Sequence, residues 1–198
     1  MTTTVSGAAI LSVVANLPAE LDALDRAVYG AIATSETPTL DRAMRTLASA
    51  ADHSRLSMAA AVVLAVGGGA PGRRAAAGGL VAVAVTSAAV NLVIKPVAHR
   101  RRPDRAGASV PSQRHVPMPA SRSFPSGHSA AAMAFATAAS RWVPAAGAPL
   151  YALAGLVSYS RVHSGVHFPG DVVAGALIGL TIGTLTAGAM HRRLPGVF

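Results

Sequence analysis

Three clusters of polar residues interrupt a largely apolar chain, and their side chains are of types that can do chemistry. The clusters are KPVAHRRRP (95–103), PSGH (125–128) and SRVHSGVHFPGD (160–171). Lys95 is the only lysine of the chain, and Arg102 and Arg161 accompany it in the first and third clusters. A phosphomonoester carries about −1.5 to −2 charge near neutral pH, and its transfer requires dense, preorganised positive charge. These three cations therefore suit the binding of a phosphoryl group.

The lone lysine sharpens this interpretation. An arginine presents a planar fork, whereas the compact ammonium of a lysine can turn toward one oxygen. We therefore predict that position 95 requires an ammonium group and not a guanidinium. Basic residues at the end of an apolar run also serve as simple membrane anchors, and the first cluster taken alone leaves that alternative open.

The second cluster marks the start of a helix. Ser126 is of a type preferred at helix N-caps, and the apolar run AAAMAFATAA follows closely. The first N–H groups of a helix lack partners within it and bind anions well. We therefore expect the backbone N–H groups of Ser126 and Gly127 to contact phosphate oxygens. Taken alone, the motif also fits a capped helix start with no chemical role.

The third cluster contains two histidines and an aspartate at intervals of four residues: His163, His167 and Asp171. On a continuous helix this spacing would suggest a metal-binding face. Phe168-Pro169-Gly170 interrupts such a helix, so we expect no metal site. For His163 a contact with substrate is the alternative, and a position at the surface is expected. Four histidines outside the clusters are also expected at the surface: His53, His99, His115 and His191.

The distribution of charge predicts which elements position these clusters. Hydrophobic residues make up 52% of the chain and charged residues 13%, against about 25% charged in ordinary soluble domains. Five uncharged runs of 17 to 20 residues each have the length that crosses the core of a bilayer. They span residues 56–72, 75–94, 123–140, 142–160 and 172–191. The sequence thus predicts an all-α, polytopic transmembrane helical bundle with about five membrane-spanning helices.

The N-terminal region is predicted to differ from this bundle. Between residues 21 and 55 the charges recur at helical spacing, and PTLD at 38–41 indicates a break followed by a new helix. Residues 5–17 are apolar enough for an interfacial helix, and the sequence does not decide whether they enter the membrane. We therefore assign residues 1–55 to amphipathic surface helices and residues 56–198 to a transmembrane catalytic domain.

Up-and-down threading of the five helices places all three clusters on one side. Lys95 ends the second helix, where Pro96 is expected to hold it extended. The third helix begins at the second cluster, and the third cluster joins the fourth helix to the fifth. The connecting segment at 103–124 is predicted to be an irregular loop, too polar to be buried. Glycines at positions 175, 179 and 183 share a stripe with Asp171 and permit close helix packing.

Composition also bounds the partners. The net charge of +9 favours anionic membranes or anionic substrates. The basic residues lie at the ends of apolar runs and not on a soluble face, so nucleic acid is not a predicted partner. Cysteine is absent, which excludes disulfides and thiolate chemistry.

Together, the three motifs resemble the signature of the PAP2 (type 2 phosphatidic acid phosphatase) superfamily. They are Lys95-x6-Arg102-Pro103, Pro125-Ser126-Gly127-His128 and Ser160-Arg161-x5-His167-x3-Asp171, in that order. The resemblance covers about residues 95–185 and includes every defining position. It implies that His167 is the nucleophile of a phosphohistidine intermediate. Asp171 would then fix its tautomer, and His128 would act as general acid and later as general base.

The resemblance implies an integral membrane phosphatase that acts on a lipid phosphomonoester or pyrophosphate. Polyprenyl phosphates, phosphatidic acid and phosphatidylglycerophosphate are the expected substrate classes, and no cofactor or metal is expected. Lipid phosphate and membrane lipids are the expected partners, and the plasma membrane, crossed several times, is the expected location. A transporter or channel that uses the same basic cluster for an anionic substrate is the alternative. That alternative would require charges deep within the helices, whereas these lie at helix ends.

Overall fold

The computed structural model describes residues 7–193, with side chains described for residues 16–192, and all regular structure in this range is helical. The α-helices are α1 (Gly7–Thr34), α2 (Pro38–Ala50), α3 (Arg55–Gly67), α4 (Gly69–Ala88), α5 (Lys95–Val97), α6 (Gly127–Ser140), α7 (Gly147–His163) and α8 (Pro169–Arg193). A π-helical segment, Ala89–Ile94, joins α4 to α5, so that one helix runs from Gly69 to Val97. The predicted all-α class is confirmed.

Two helices are long and apolar enough to cross a membrane among the described residues: Gly69–Val97 and Pro169–Arg192. The other three expected spans correspond to α3, α6 and α7, which contain 13, 14 and 17 residues. Each is shorter than the ~20 residues that a spanning helix needs. An uncharged run sets only an upper limit on helix length, because caps and glycines inside the run shorten the helix. The predicted number of five spans is therefore not confirmed.

Helices α6 and α8 pack closely through the predicted glycine stripe. A Cβ added at Gly183 would stand 2.7 Å from the carbonyl oxygen of Ala134, and Gly175 and Gly179 are closer still to the α6 backbone. Only glycine allows such an approach without displacing the neighbouring helix. This packing sets the first turns of α6 and α8 side by side, and the N–H of Ser126 donates to the carbonyl of Asp171 at 2.9 Å.

The long helix Gly69–Val97 does not end at Lys95 as predicted. Lys95 is helical (φ −61°, ψ −37°) and not extended, and the first extended residue is Ala98 (φ −80°, ψ 130°). The N–H of Lys95 donates to the carbonyl of Val90, five residues back. This wider π turn displaces the carbonyls against which the ring of Pro96 would clash in a regular α-helix. Lys95 still lies in the last turn of the long helix.

The N-terminal helices pack against the ends of the bundle that carry the motifs. The expected break is present, since α2 begins at Pro38. Asp25 of α1 accepts from the N–H of Gly170 at 2.6 Å, and Asp41 of α2 accepts from Arg114 Nε at 2.7 Å. The division of the chain at residue 55 and the surface placement of α1 and α2 stay predictions.

The segment at 103–124 is less exposed than predicted. The side chains of Arg114 and Ser123 are fully buried. Arg114 is compensated because, besides Asp41, it donates to the backbone carbonyls of Ile32 and Ala33. The expectation that this loop is too polar to be buried is wrong at these positions, because paired polar groups can leave water.

Candidate active site

The four helix ends that carry the motifs converge on one cavity of about 310 Å³. Lys95, Arg102, Gly127, His128 and His167 all line it. Lys95 Nζ and Arg102 Nη2 both donate to Ser121 Oγ, at 3.1 and 3.2 Å. Two of the three predicted phosphate-binding cations therefore lie side by side at the cavity wall.

His167 is held with one ring nitrogen toward a cation and the other toward a carboxylate. Arg102 Nη1 lies 3.2 Å from Nε2, and Asp171 Oδ2 lies 3.5 Å from Nδ1. A guanidinium can only donate, so Nε2 is the acceptor and Nδ1 carries the proton. Nε2 thus carries the electron pair that a nucleophile needs, and this pair becomes available for attack when Arg102 donates to a phosphate oxygen instead.

Burial keeps His167 neutral. The ring is about 1% exposed, and this desolvation lowers its pKa to about 4, with Arg102 adding to the effect and Asp171 opposing it. An imidazole with this pKa is uncharged at neutral pH. Its tautomer and its protonation state both suit attack on phosphorus.

The carboxylate of Asp171 is fixed by donors from separate segments. Phe168 N–H donates to Oδ2 at 2.9 Å, and Ser123 Oγ donates to the same oxygen. Arg100 Nη1 donates to Oδ1 at 3.0 Å and also forms ion pairs with Asp22 and Asp25 of α1. Sequence reasoning missed Ser123 and Arg100. Ser123 stood in a loop expected to be exposed, and Arg100 was one of three adjacent arginines.

His128 lies at a more open part of the same cavity. Its side chain is 25% exposed, and its Nε2 donates to Asp52 Oδ1 at 3.0 Å. Arg161 approaches the same carboxylate oxygen with Nη1 at 3.7 Å and donates to the carbonyl of Ala48. Its buried Nε has no hydrogen-bond partner among the described residues. Sequence reasoning also missed Asp52, which no motif includes.

Ser126 differs in part from its predicted role. Its side chain caps α6 by accepting from the N–H of Ser129 at 3.4 Å, as expected. Its own N–H, however, already donates to the carbonyl of Asp171. That N–H is not free to bind a phosphate oxygen, because the close packing of α6 and α8 engages it. Gly127 stands at the cavity wall, and a Cβ there would lie 3.9 Å from Lys95 Nζ.

His163 is buried, and its expected surface position is wrong. Its Nε2 lies 2.8 Å from Asp41 Oδ1, and Asp41 also pairs with Arg114. The expected interruption between His163 and Asp171 is present, since α7 ends at His163 and α8 begins at Pro169.

Of the remaining histidines, only His53 lines the cavity among the residues that the structure describes there. Three of them are exposed, as expected: His53, His99 and His191. His115 is half-buried, with Nε2 3.1 Å from the carbonyl of Val110. Among the side chains that the structure describes, no three His, Cys, Asp or Glu residues are grouped so as to hold a metal ion. Metal independence stays a prediction.

The family described as PAP2 superfamily has a sequence model that matches residues 76–195, which include all three motifs. The chain belongs to the PAP2 superfamily. The resemblance drawn from the motifs is confirmed, and the converging helix ends are those of a PAP2 protein.

Two relatives of known name are phosphatases. Decaprenylphosphoryl-5-phosphoribose phosphatases from two strains of Mycobacterium tuberculosis are 35% identical over 105 residues, which is 52% of this chain and 55% of theirs. The chain therefore matches only about half the length of these relatives.

Two solved structures share the fold. The transmembrane PAP2-type phosphatidylglycerolphosphate phosphatase of Bacillus subtilis has a TM-score of 0.68 at 25% identity, covering 93% of this chain and 92% of its own. LpxE of Aquifex aeolicus has a TM-score of 0.65 at 25% identity, with 83% and 95% covered. The likeness to the Bacillus subtilis enzyme extends beyond the family match into the N-terminal region.

Proposed function

We propose that this PAP2 protein is an integral membrane phosphatase that hydrolyses a lipid phosphomonoester or pyrophosphate through a phosphohistidine. The observation that carries the proposal is the state of His167. The ring is neutral, Nε2 bears an electron pair that accepts from Arg102, and Nδ1 faces the buried carboxylate of Asp171. His128 lines the same cavity, where the negative charge of a bound phosphate would favour the protonated ring that a proton donor requires.

The proposed reaction has two steps. In the first, Lys95 and Arg102 bind the phosphate oxygens, with Arg161 behind them. His167 Nε2 forms a bond to phosphorus while the bond to the lipid oxygen breaks, and His128 gives its proton to that oxygen. In the second step, His128 takes a proton from water, which attacks phosphorus and breaks the bond to His167. Inorganic phosphate leaves, and both histidines return to their starting states.

The two long apolar helices support a lipid substrate. Lys95 lies near the end of one and Asp171 near the start of the other. If both cross a bilayer, the cavity opens at the depth of the lipid headgroups. The names of the relatives support the polyprenyl phosphate and phosphatidylglycerophosphate classes. Phosphatidic acid is a third class, which we propose from the family resemblance alone. We place the protein in the plasma membrane.

A transporter or channel is less well supported. The two long helices carry charged residues only near their ends: Arg73, Arg74, Lys95, Asp171 and Arg192. Ion paths through membrane helices are typically marked by ionisable groups within the membrane. The placement of charge therefore favours chemistry at the surface over transport through the bundle.

The test is phosphate release by the purified protein from a panel of lipids, with His167→Ala as the control. The panel contains decaprenylphosphoryl-5-phosphoribose, a polyprenyl phosphate and its pyrophosphate, phosphatidic acid and phosphatidylglycerophosphate. We expect release from at least one lipid, abolished in the variant and unchanged in excess EDTA, because Lys95, Arg102 and Arg161 supply the positive charge. No release from any lipid, together with anion flux into proteoliposomes, would support the transporter. A loss in EDTA that Mg²⁺ or Zn²⁺ restores would contradict metal independence.

A further inference from the structure

Asp52 lies between the side chains of His128 and Arg161 in the candidate site, although it belongs to none of the three motifs. Its Oδ1 is 3.0 Å from His128 Nε2 and 3.7 Å from Arg161 Nη1. The separation of Asp52 and His128 along the chain is 76 residues. Asp52 also precedes the range matched by the family, which begins at residue 76. The fold therefore brings a carboxylate from the N-terminal region to the proposed general acid.

The turn that carries Asp52 has an unusual backbone. Asp52–Ser54 forms a short 3-10 helix between α2 and α3, and the two residues after Asp52 are left-handed: His53 (φ 55°) and Ser54 (φ 58°). Non-glycine residues adopt this conformation uncommonly, and such strain concentrates at functional sites. Ala51, His53 and Ser54 line the same cavity as His128. The strained turn thus forms part of the cavity wall and holds Asp52 against the imidazole.

We propose that Asp52 is a positioning residue for His128, an inference that rests on the proposed function. Its carboxylate accepts a hydrogen bond from Nε2, fixes the orientation of the ring and stabilises the protonated imidazole. The proton given to the lipid oxygen is then the one on the nitrogen that Asp52 does not hold. Asp52 itself touches neither phosphorus nor the leaving oxygen, so it acts only through His128.

The charges around His128 explain why a carboxylate is needed. Burial of the ring disfavours its protonated form most, and the positive charges of Arg161 in α7 and Lys95 in α5 add to this effect. Asp52 is the carboxylate that opposes them among the described groups that act on this histidine. Without it, His128 would lose its proton at lower pH, and a smaller fraction of the enzyme could protonate a poor leaving group.

The first test compares Asp52→Asn with the wild type on two substrates. The lipid leaving group needs a proton, whereas the leaving group of an activated aryl phosphate does not. We expect turnover of the lipid phosphate to fall by about 10- to 100-fold, which is less than the roughly 10²- to 10⁴-fold that a general acid usually contributes, because His128 itself is still present. The basic limb of its pH profile should also move to lower pH. The burst of phosphohistidine from the aryl phosphate should change by less than about threefold, because His167 is untouched.

Two further variants provide controls. Glu20→Gln removes one negative charge from an exposed position of α1 and should leave both substrates unaffected. Asp52→Glu retains the carboxylate and should restore part of the lipid activity and the position of the basic limb. Equal losses on both substrates, or an unmoved pH profile, would show that Asp52 only supports the fold. If Asp52→Asn fails to fold, Asp52→Ser is measured in its place.

The second test does not depend on activity. Histidine side chains are labelled with ¹⁵N, His128 is assigned by its loss in His128→Gln, and the ring is titrated by NMR in the purified protein. We expect the midpoint of His128 to fall in Asp52→Asn and not in Glu20→Gln. An unchanged midpoint overturns the inference. A shifted midpoint in a protein that hydrolyses no lipid phosphate would retain the role of Asp52 while refuting the proposed function.

Discussion

The two histidines of the candidate site stand in contrasting surroundings. On the nucleophile side, His167 and the carboxylate of Asp171 are about 1% and 0% exposed, and donors from three segments fix the carboxylate. On the acid side, the side chains of His128 and Asp52 are 25% and 33% exposed, and one hydrogen bond joins them. The nucleophile side is therefore buried and held by several hydrogen bonds, whereas the acid side is open to solvent.

This contrast fits the different tasks of the two halves. A nucleophile must present one nitrogen in one tautomer, and burial with fixed partners achieves both. A general acid must exchange protons with a departing lipid oxygen and then with water, which requires access. We therefore expect changes on the nucleophile side to affect every substrate alike. Changes on the acid side should depend on the leaving group.

The largest expected effect separates the two histidines. His167→Ala removes the route to a phosphoenzyme, so turnover should fall by ~10⁴-fold or more with any substrate. His128→Ala should lose most of its activity on a lipid phosphate. It should still accumulate phosphohistidine from an activated aryl phosphate, because the base for hydrolysis is also missing. Rapid-quench burst kinetics on both substrates measure this difference.

Two results would contradict these roles of the two histidines. A burst from His167→Ala would show that another residue is the nucleophile. If His128→Ala lost activity on the lipid and the aryl phosphate to the same extent, the acid side would have no separate role, and the contrast between the halves would fail.

Lys95→Arg should have the next largest effect although it conserves charge. Lys95 Nζ donates to Ser121 Oγ and would lie 3.9 Å from a Cβ at Gly127, so a longer side chain would reach further into the phosphate site. A guanidinium there would displace the phosphate from His167, and a misplacement of about 1 Å can lower the rate by around 10²-fold. The measurement is kcat on the aryl and lipid phosphates, both of which should fall. Near-normal turnover would show that only the charge at this position matters.

The motifs predicted which residues share the cavity better than they predicted the surroundings of those residues. Threading alone placed Lys95 and His167 on one side of the bundle, because helix ends alternate between sides. Ser123, Arg100 and Asp52 were not predictable in the same way. Arg100 and Asp52 meet their partners across 71 and 76 residues. Such contacts depend on how the loop and the N-terminal helices fold back, and neither spacing nor charge patterning specifies that.

Helix lengths were also beyond the reach of the sequence pattern. Charge-free runs marked where each helix of the bundle lies, yet α6 starts only at Gly127 because Ser126 caps it. One buried cluster also departs from the expectation that charged groups stay in water. It consists of Asp41, Arg114 and His163. Each of its members is paired with another, and pairing of this kind is visible only in three dimensions.

Ser123→Ala tests whether the nucleophile side depends on its supporting hydrogen bonds. Removing one of the donors to the carboxylate of Asp171 should lower kcat by about tenfold, since hydrogen bonds to charged groups contribute roughly 1.5–3 kcal/mol and two donors remain. The loss should be equal on lipid and aryl phosphates, unlike that of Asp52→Asn. Ser112→Ala, an exposed position in the same loop, is the control. A loss confined to the lipid phosphate would place Ser123 functionally on the acid side.

The smallest expected effect is the response of the nucleophile to acid. The pKa of His167 is lowered from 6.5 to about 4, chiefly by burial. A lowered pKa favours the neutral ring, which is lost only as pH falls through about 4. Between pH 7.5 and 5.5 the rate constant of the burst from saturating aryl phosphate should therefore change by less than about twofold. An ordinary histidine with a pKa near 6.5 would become mostly protonated over the same range and lose most of this rate.

The second pKa of the substrate, near 6, is measured separately by ³¹P NMR so that its titration can be subtracted. A residual midpoint near 6.5 would show that His167 is solvated in the working enzyme, and the contrast between a buried nucleophile and an open acid would no longer hold.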